Sequence, residues 1–373
     1  MSKIHICHIT LLNPAIHSRI FHKEGLSQIK LGYKVSIIGQ SDEKNFYSKA
    51  GIDIYPIPSF QRLSPKRLTI RSQIYEMARK IQADIYQIHT PELLGIGKKL
   101  KENVESCKVI YDCHEDYEKN ILHGGYYPRI GKGLLASQVK STEEKASHWL
   151  DGVFFAEECF SIPELPVDKG VYLLNKFAGD TYARLAKEKD DIFQICYTGT
   201  ISENWGIFDT LKLWQALNKI QPTRLIVAGH SQFDDLIGDI ESQVDSSGLN
   251  DHFQMIGGRD YVDHEIILKV LSESDVCIGL YHLKENLKDR FPTKFYECMA
   301  TGCPAVFTDN PFWTKKNEEM GFGIPVDLES IEDSTEKIME FAKNFKPVED
   351  ESLWSWKTEE EKMSRFFEMI LGE

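Results

Sequence analysis

Paired cysteines are missing from this sequence. Its eight cysteines (Cys7, Cys107, Cys113, Cys159, Cys196, Cys277, Cys298, Cys303) form no Cys-x-x-Cys set, and most lie in apolar runs. That excludes a disulfide frame and a cysteine zinc site, and fits small core residues in a reducing compartment. No apolar run approaches the roughly 18 residues of a membrane span. No charged-then-apolar leader precedes the opening KIHICHIT, so a secretion signal is not expected. The expected location is the cytoplasm, with the inner face of the membrane left open. Cationic excess is also lacking: 44 Lys and Arg face 57 Asp and Glu, a net charge of −13, so nucleic acid is not an expected partner. Gly-x-Gly-x-x-Gly does not occur, which argues against a dinucleotide site. Neither a short repeat nor a low-complexity tract is present.

What is there fits two domains. A chain of 373 residues suits two cores, and 42% hydrophobic with 27% charged residues is a globular composition. Short apolar runs alternate with longer amphipathic stretches, the rhythm of parallel sheets covered by helices. Strands are expected at 4–10, 34–38, 52–57, 84–89, 109–113, 152–156 and 171–174, with helices at about 18–31, 66–82, 92–105 and 130–149. The rhythm restarts near Ile192, with strands at 193–197, 225–228, 253–256, 276–280, 305–308 and 324–326 and helices at 207–220, 232–247 and 263–273. The polar, lysine-rich stretch 179–191 marks the boundary. The expected domains are 1–175, joined by a C-terminal helix at about 355–373, and 176–354. That helix carries Trp356, Phe366, Phe367 and Ile370, which need a surface to cover, and the first domain is the expected one. Charge is uneven: residues 1–170 hold 23 cations against 20 anions, and the remainder 21 against 37. An anionic substrate, a membrane surface and ordinary scatter all remain open for the first half.

Ligands of parallel α/β sheets bind beyond the carboxyl ends of the strands, so loops after strands hold the candidate chemistry. The segment RFPTKFYECMATGCPAVF, Arg290–Phe307, is the most informative. Pro292 suits a helix start, Phe295, Cys298 and Met299 make a buried stripe, and Gly302 ends the helix. The helix N-terminus can meet a phosphate, with Lys294 in its first turn. Glu297, one turn in, can accept two hydrogen bonds from a ribose diol. Read alone, Glu297 serves equally as a solvated residue paired with Lys294.

The same segment resembles the donor-site signature of glycosyltransferase family four and its GT-B relatives. HSRIFHKEGLSQIKLGYKVSIIG, DIYQIHTPELLGIGKKL, KVIYDCHEDY and YTGTISENWGIFDTL extend the resemblance over nearly the whole chain, toward a subgroup making bacterial cell-surface polysaccharides. It implies an α/β GT-B fold: two Rossmann-like domains with parallel sheets facing a cleft, and a C-terminal helix returning to the first. It implies retaining transfer from a nucleotide-diphosphate sugar to a glycan or polyprenyl-linked acceptor, with no cofactor and no obligatory metal. Glu297 then holds the ribose, and Lys294, Arg290, Thr293, Gly199, Thr200, Arg19, Gly258 and Arg259 complete donor binding. His114 contacts the transferred sugar and Asp289 faces it. His89, Glu92 and Glu115 are acceptor or sugar candidates.

Departures from the family pattern matter. The family's Glu-x7-Glu begins here with Asp289, which has a shorter reach. Thr200 and Trp205 stand where basic residues usually grip the diphosphate, removing charge-assisted bonds of about 1.5–3 kcal/mol each. Lys294, Arg290 or Arg19 are the candidates to compensate. The loop 11–19 has no glycine. His114, Glu115 and Asp116 match no standard metal-ligand spacing. A basic stretch from Arg62 to Lys80 suits either anionic lipid or plain solvent. Two rivals stand: another reaction on the same fold, such as an epimerase or phosphorylase, and a degenerate relative acting as a binding or scaffolding subunit.

Overall fold

A computed structural model describes residues 3–61, 64–123, 127, 130–179 and 192–372. Arg62 and most of the lysine-rich stretch 179–191 therefore lie outside the described residues. The chain divides into two compact units, Met1–Ala178 with Trp356–Glu373, and Gly179–Ser355.

The first unit is built on eight strands: β1 (His5–Pro14), β2 (Lys34–Gln40), β3 (Tyr47–Lys49), β4 (Ile52–Ile57), β5 (Ile85–Ile88), β6 (Lys108–Cys113), β7 (Gly152–Phe155) and β8 (Gly170–Tyr172). Their order is β3-β4-β2-β1-β5-β6-β7-β8. All pairs are parallel except β3 with β4. Strands β5, β6 and β7 are buried along nearly their whole length, as strands of a parallel sheet covered on both faces are. The order reverses between β1 and β5, where chain segments leave on opposite faces and open a crevice at the strand ends.

The expected helix at 18–31 is a π-helical stretch, Ser18–Gly25, running into a short α-helix, Leu26–Lys30. Such wide turns are rare and re-aim side chains. Here Arg19, Ile20, Phe21 and Glu24 all turn inward. The short edge strand β3 went unexpected, since YSK has no apolar alternation to betray it.

The C-terminal helix Lys357–Leu371 belongs to this unit. Met363, Phe366 and Phe367 pack on Ile6, Ile85, Ile110 and Phe154. Burying side chains of this size stabilises by about 1.5–3 kcal/mol each. Gly152 makes the close fit possible, because a Cβ there would lie 2.1 Å from Phe366 Cζ. Glu359 is fully buried and is held by Lys176 at 3.0 Å, Lys362 at 2.9 Å and the Leu174 amide at 3.0 Å.

The second unit has six parallel strands: β9 (Phe193–Thr200), β10 (Thr223–His230), β11 (Phe253–Gly258), β12 (Val276–Gly279), β13 (Ala305–Thr308) and β14 (Gly323–Val326). The order β11-β10-β9-β12-β13-β14 reverses between β9 and β12. This is the doubly wound Rossmann order, and its switch point lies at the ends of β9 and β12. Trp214, fully buried with its indole N–H on Thr223 O at 2.8 Å, anchors the helix Ile207–Asn218 to the sheet. Among the described residues no helix is long and apolar enough to cross a membrane.

Candidate active site

In the second unit the loops after β9, β11 and β12 converge on the start of the helix Thr293–Thr301. Pro292 takes the position just before the helix in extended conformation, and Gly302 closes it at φ +69°. Phe295, Cys298 and Met299 are buried, as the motif predicts. Glu297 keeps one-fifth of its side chain exposed, and its Oε1 lies 2.9 Å from His264 Nε2. His264 opens the next helix after β11. Glu297 is therefore paired with a histidine 33 residues away and not with Lys294.

Lys294 points inward. Its side chain is 6% exposed, and Nζ lies 4.4 Å from the centre of the Tyr197 ring and 5.5 Å from that of Tyr281, donating to Ile278 O at 3.3 Å. The expectation that Lys294 meets a diphosphate is corrected: two aromatic faces hold the ammonium in place of water. Trp205 stands 5.5 Å from Tyr281, extending the same aromatic group. Tyr197, Tyr281 and Lys294 thus tie the ends of β9 and β12 to the helix.

Gly199 adopts φ +90° at the end of β9 with open space where a Cβ would stand, so the backbone there is accessible. Thr200 is exposed, and its carbonyl accepts from Tyr197 Oη at 2.8 Å. Thr293 is exposed at the first helical position. Asp289 and Arg290 are half-buried in the preceding loop, where Arg290 O accepts from Trp313 Nε1 at 2.5 Å. Gly258 is buried at φ +70°. Arg259 is exposed, and its guanidinium meets Glu241 at 3.2 and 3.4 Å.

In the first unit the switch point between β1 and β5 holds a buried polar cluster. Asp112, at the end of β6, is fully buried. Its Oδ1 accepts from Arg19 Nη2 at 2.8 Å, and its Oδ2 meets His89 Nδ1 at 3.0 Å and His114 Nε2. Burial opposes its ionisation, but Arg19 and His114 hold its carboxyl well below the usual range. Arg19 also touches Glu24 at 2.9 Å, Leu173 O at 2.8 Å and Asn175 Oδ1 at 3.0 Å. Arg19 is 3% exposed, so its expected phosphate contact is corrected: the guanidinium is committed to two buried carboxylates. Burial, reinforced by the Asp112 charge, pushes Glu24 well above the usual carboxylate range despite Arg19.

His89 is completely buried, which overturns a direct sugar or acceptor contact for it. Its Nε2 meets His8 Nδ1 at 2.9 Å, and His8 Nε2 reaches Gln28 Oε1 at 2.7 Å. Burial holds the His89 imidazole well below its usual range and takes His8 down to about 4. His114 keeps 10% of its side chain exposed and stacks on the half-buried His17, ring centres 5.9 Å apart. Of the four first-unit histidines that gather here, His114 and His17 alone reach the surface. Glu92 is taken up by Arg67, and Glu115 accepts from Asn120.

Sequence reading missed His264, His8, Gln28 and Glu24. A histidine inside the apolar strand IHICHIT was the one available signal, since the rest meet only through tertiary contacts.

Residues 182–352 match the family described as Glycosyl transferases group 1. No curated protein sequence matches. Among solved structures, a sucrose-phosphate synthase from Thermosynechococcus elongatus is similar at TM-score 0.77 and 13% identity, over 99% of this chain and 100% of that one. Anabaena HepE, solved with UDP and glucose, follows at 0.67 and 12%, over 97% and 98%. The catalytic domain of starch synthase IV from Arabidopsis thaliana, bound to ADP and acarbose, gives 0.62 and 11% over 100% of both chains. The chain is a glycosyltransferase with a two-domain α/β architecture of the GT-B type, and its second unit carries a glycosyltransferase group 1 domain.

Proposed function

We propose that the chain moves a sugar, with retention of configuration, from a nucleotide-diphosphate sugar to a glycan or polyprenyl-linked acceptor in cell-surface polysaccharide synthesis. The observation that carries the donor half is the convergence at the β9/β12 switch point. There Glu297 stands one-fifth exposed one turn into a helix whose first residue, Thr293, is exposed, and whose Lys294 reaches Tyr197, two residues before the open backbone of Gly199. A ribose diol donates to the Glu297 carboxylate while His264 orients it. The diphosphate takes helix amides and the accessible Gly199 backbone, because Lys294 is occupied by its tyrosines. Negative charge grows on that diphosphate as the bond to the sugar breaks, and fixed amide dipoles stabilise it without reorganising. Within the second unit, Asp289 is assigned to the cationic sugar. Relatives of the same fold solved with UDP or ADP support a nucleoside diphosphate as the common element. The transfer has no obligatory metal ion, and the protein works in the cytoplasm, at the inner membrane face when its acceptor is lipid-linked.

A second reading, a binding subunit without transfer, is favoured by one feature: Thr200, Trp205 and the tyrosine-bound Lys294 leave the phosphate pocket short of cations. Calorimetric titration with UDP- and GDP-linked sugars, paired with a sugar-release assay, separates the two. The transferase reading expects binding that weakens about 10–100-fold in Glu297→Ala, equivalent to one or two lost hydrogen bonds to a charged group. Binding to none of these nucleotides sinks it. Tight binding with no turnover toward any acceptor or water selects the binding subunit.

A further inference from the structure

The buried cluster of the first unit has a feature that sugar transfer does not use. Three ring and carboxylate atoms converge on one point: His89 Nδ1, Asp112 Oδ2 and His114 Nε2. His89 Nδ1 lies 3.0 Å from each of the other two, and His114 Nε2 touches Asp112 Oδ2 directly. A closed triangle of this kind is poorly served by hydrogen bonds alone, because each edge needs a donor and an acceptor.

The outer partners decide which atoms carry protons. Gln28 donates its amide to Gln87 Oε1 at 3.2 Å, which leaves Gln28 Oε1 as the acceptor toward His8. His8 therefore donates from Nε2, and in its neutral form it offers a bare Nδ1 to His89. His89 fills that position with its Nε2–H at 2.9 Å. A neutral His89 is then left with a lone pair on Nδ1, aimed at Asp112 Oδ2. The Arg19 guanidinium already donates from Nε to Asp112 Oδ2 at 3.1 Å, but the lone pair of His89 Nδ1, 3.0 Å from that oxygen, still favours a proton or a cation at the centre of the triangle.

We infer that His89, Asp112 and His114 form a site for one divalent transition-metal ion of the zinc or cobalt class. The donor set is two imidazoles and one carboxylate, which suits such ions. Ligand atoms of a tetrahedral site stand about 3.3 Å apart at metal–nitrogen distances near 2.0 Å, so the two His89 edges at 3.0 Å need little expansion, and metal binding would have to open the closer His114–Asp112 edge. Two of the three ligands are already held from behind, as metal-binding residues usually are. His8 and Gln28 fix the His89 ring, and Arg19 grips both oxygens of Asp112, Oδ1 from Nη2 at 2.8 Å and Oδ2 from Nε at 3.1 Å. His114, the partly exposed member, gives the ion a way in and leaves a fourth position for water. A second group of ligand-capable atoms, His8, Glu24 and His89, is sealed completely and spends its atoms on Gln28, Arg19 and each other.

The inference does not depend on the donor reading, which rests on the second unit. Its rival occupant is a proton shared within the triangle. Metal-stripped full-length protein is titrated with Co²⁺ at neutral pH and followed by visible absorption, then with Zn²⁺ in competition. The expected result is one equivalent of Co²⁺ with the intense bands of a four- or five-coordinate nitrogen–oxygen site, displaced by Zn²⁺. His114→Ala, at the one ligand near the surface, should weaken binding at least 100-fold, whereas His264→Ala in the other unit should leave it unchanged. Imidazole ¹⁵N spectra of the unmodified protein give a check that no variant can spoil: Zn²⁺ should shift His89 Nδ1 and His114 Nε2. No cobalt spectrum, unshifted imidazoles, or equal binding in His114→Ala overturns the site in favour of the proton.

Discussion

Glu143 on the helix Lys132–Ser147 accepts from Tyr111 Oη at 2.7 Å, deep under the first sheet. Burial, against the pull of that hydrogen bond, pushes its carboxyl up to about 7 from 4.5. The folded chain keeps this proton where the unfolded chain has lost it. The associated stability is present below pH 4.5 and drains away as pH rises to about 7. Glu143→Gln keeps an acceptor for Tyr111 but cannot titrate. The variant should therefore gain stability relative to its parent between pH 5 and pH 8, read as a growing difference in urea midpoint. A difference that stays constant with pH would remove the argument. The charged residues of the site follow the same logic. Arg19, Lys294 and Glu297 were all visible as chemistry-bearing residues, but burial and partners decided their roles. A helix motif could show that Glu297 is near an opening helix end. It could not show that Lys294, three residues earlier, turns under two tyrosines.

At the scale of elements, Gly152 and the C-terminal helix make a single packing unit. In Gly152→Ala the new methyl would meet the Phe366 ring at 2.1 Å, and that ring is buried against Phe154. The expected cost is about 1–3 kcal/mol, seen as a lower melting temperature. Phe366→Leu costs less than the sum of both changes when combined with Gly152→Ala, because the clash and the ring disappear together. Strict additivity in that double variant would show that the two residues do not press on each other. Most strands and long helices were legible because parallel sheets covered on both faces leave unbroken apolar runs. The helix Thr293–Thr301 could be bracketed by Pro292 and Gly302, with Pro292 falling just before the helix instead of in its first turn. The edge strand β3, the π-helical form of the opening at Ser18–Gly25 and the helices Tyr117–His123, Pro311–Met320 and Thr335–Asn344 escaped, the last although Ile338 and Ala342 give it a clear buried face.

At the scale of the molecule, the proposed donor should stabilise the fold by mass action. At about 100 times its dissociation constant a nucleotide adds roughly 2.7 kcal/mol. For a domain of this size that is roughly 5–10 °C of melting temperature. UDP, GDP and ADP compared side by side should show one base ahead of the others, and Glu297→Ala should abolish most of the shift. Equal small shifts for all three, unchanged in Glu297→Ala, would place nucleotide binding elsewhere or nowhere. Removing residues 357–373 should expose Ile6, Ile85, Ile110 and Phe154 together and leave the protein unable to fold its first unit.

Apolar periodicity by itself determined the α/β class, the two-sheet plan and most strand positions, because burial on both faces dictates which residues a strand can carry. Local motif chemistry determined where one helix begins and ends and that a carboxylate stands one turn inside it. Only the tertiary structure decided which side chains meet. His264 reaches Glu297 across 33 residues, and His8, His89, Asp112 and His114 come from three separate strands to one crevice. The reason is physical: hydrogen bonding and desolvation depend on distances in space, and a linear sequence carries those only where neighbours along the chain are also neighbours in the fold.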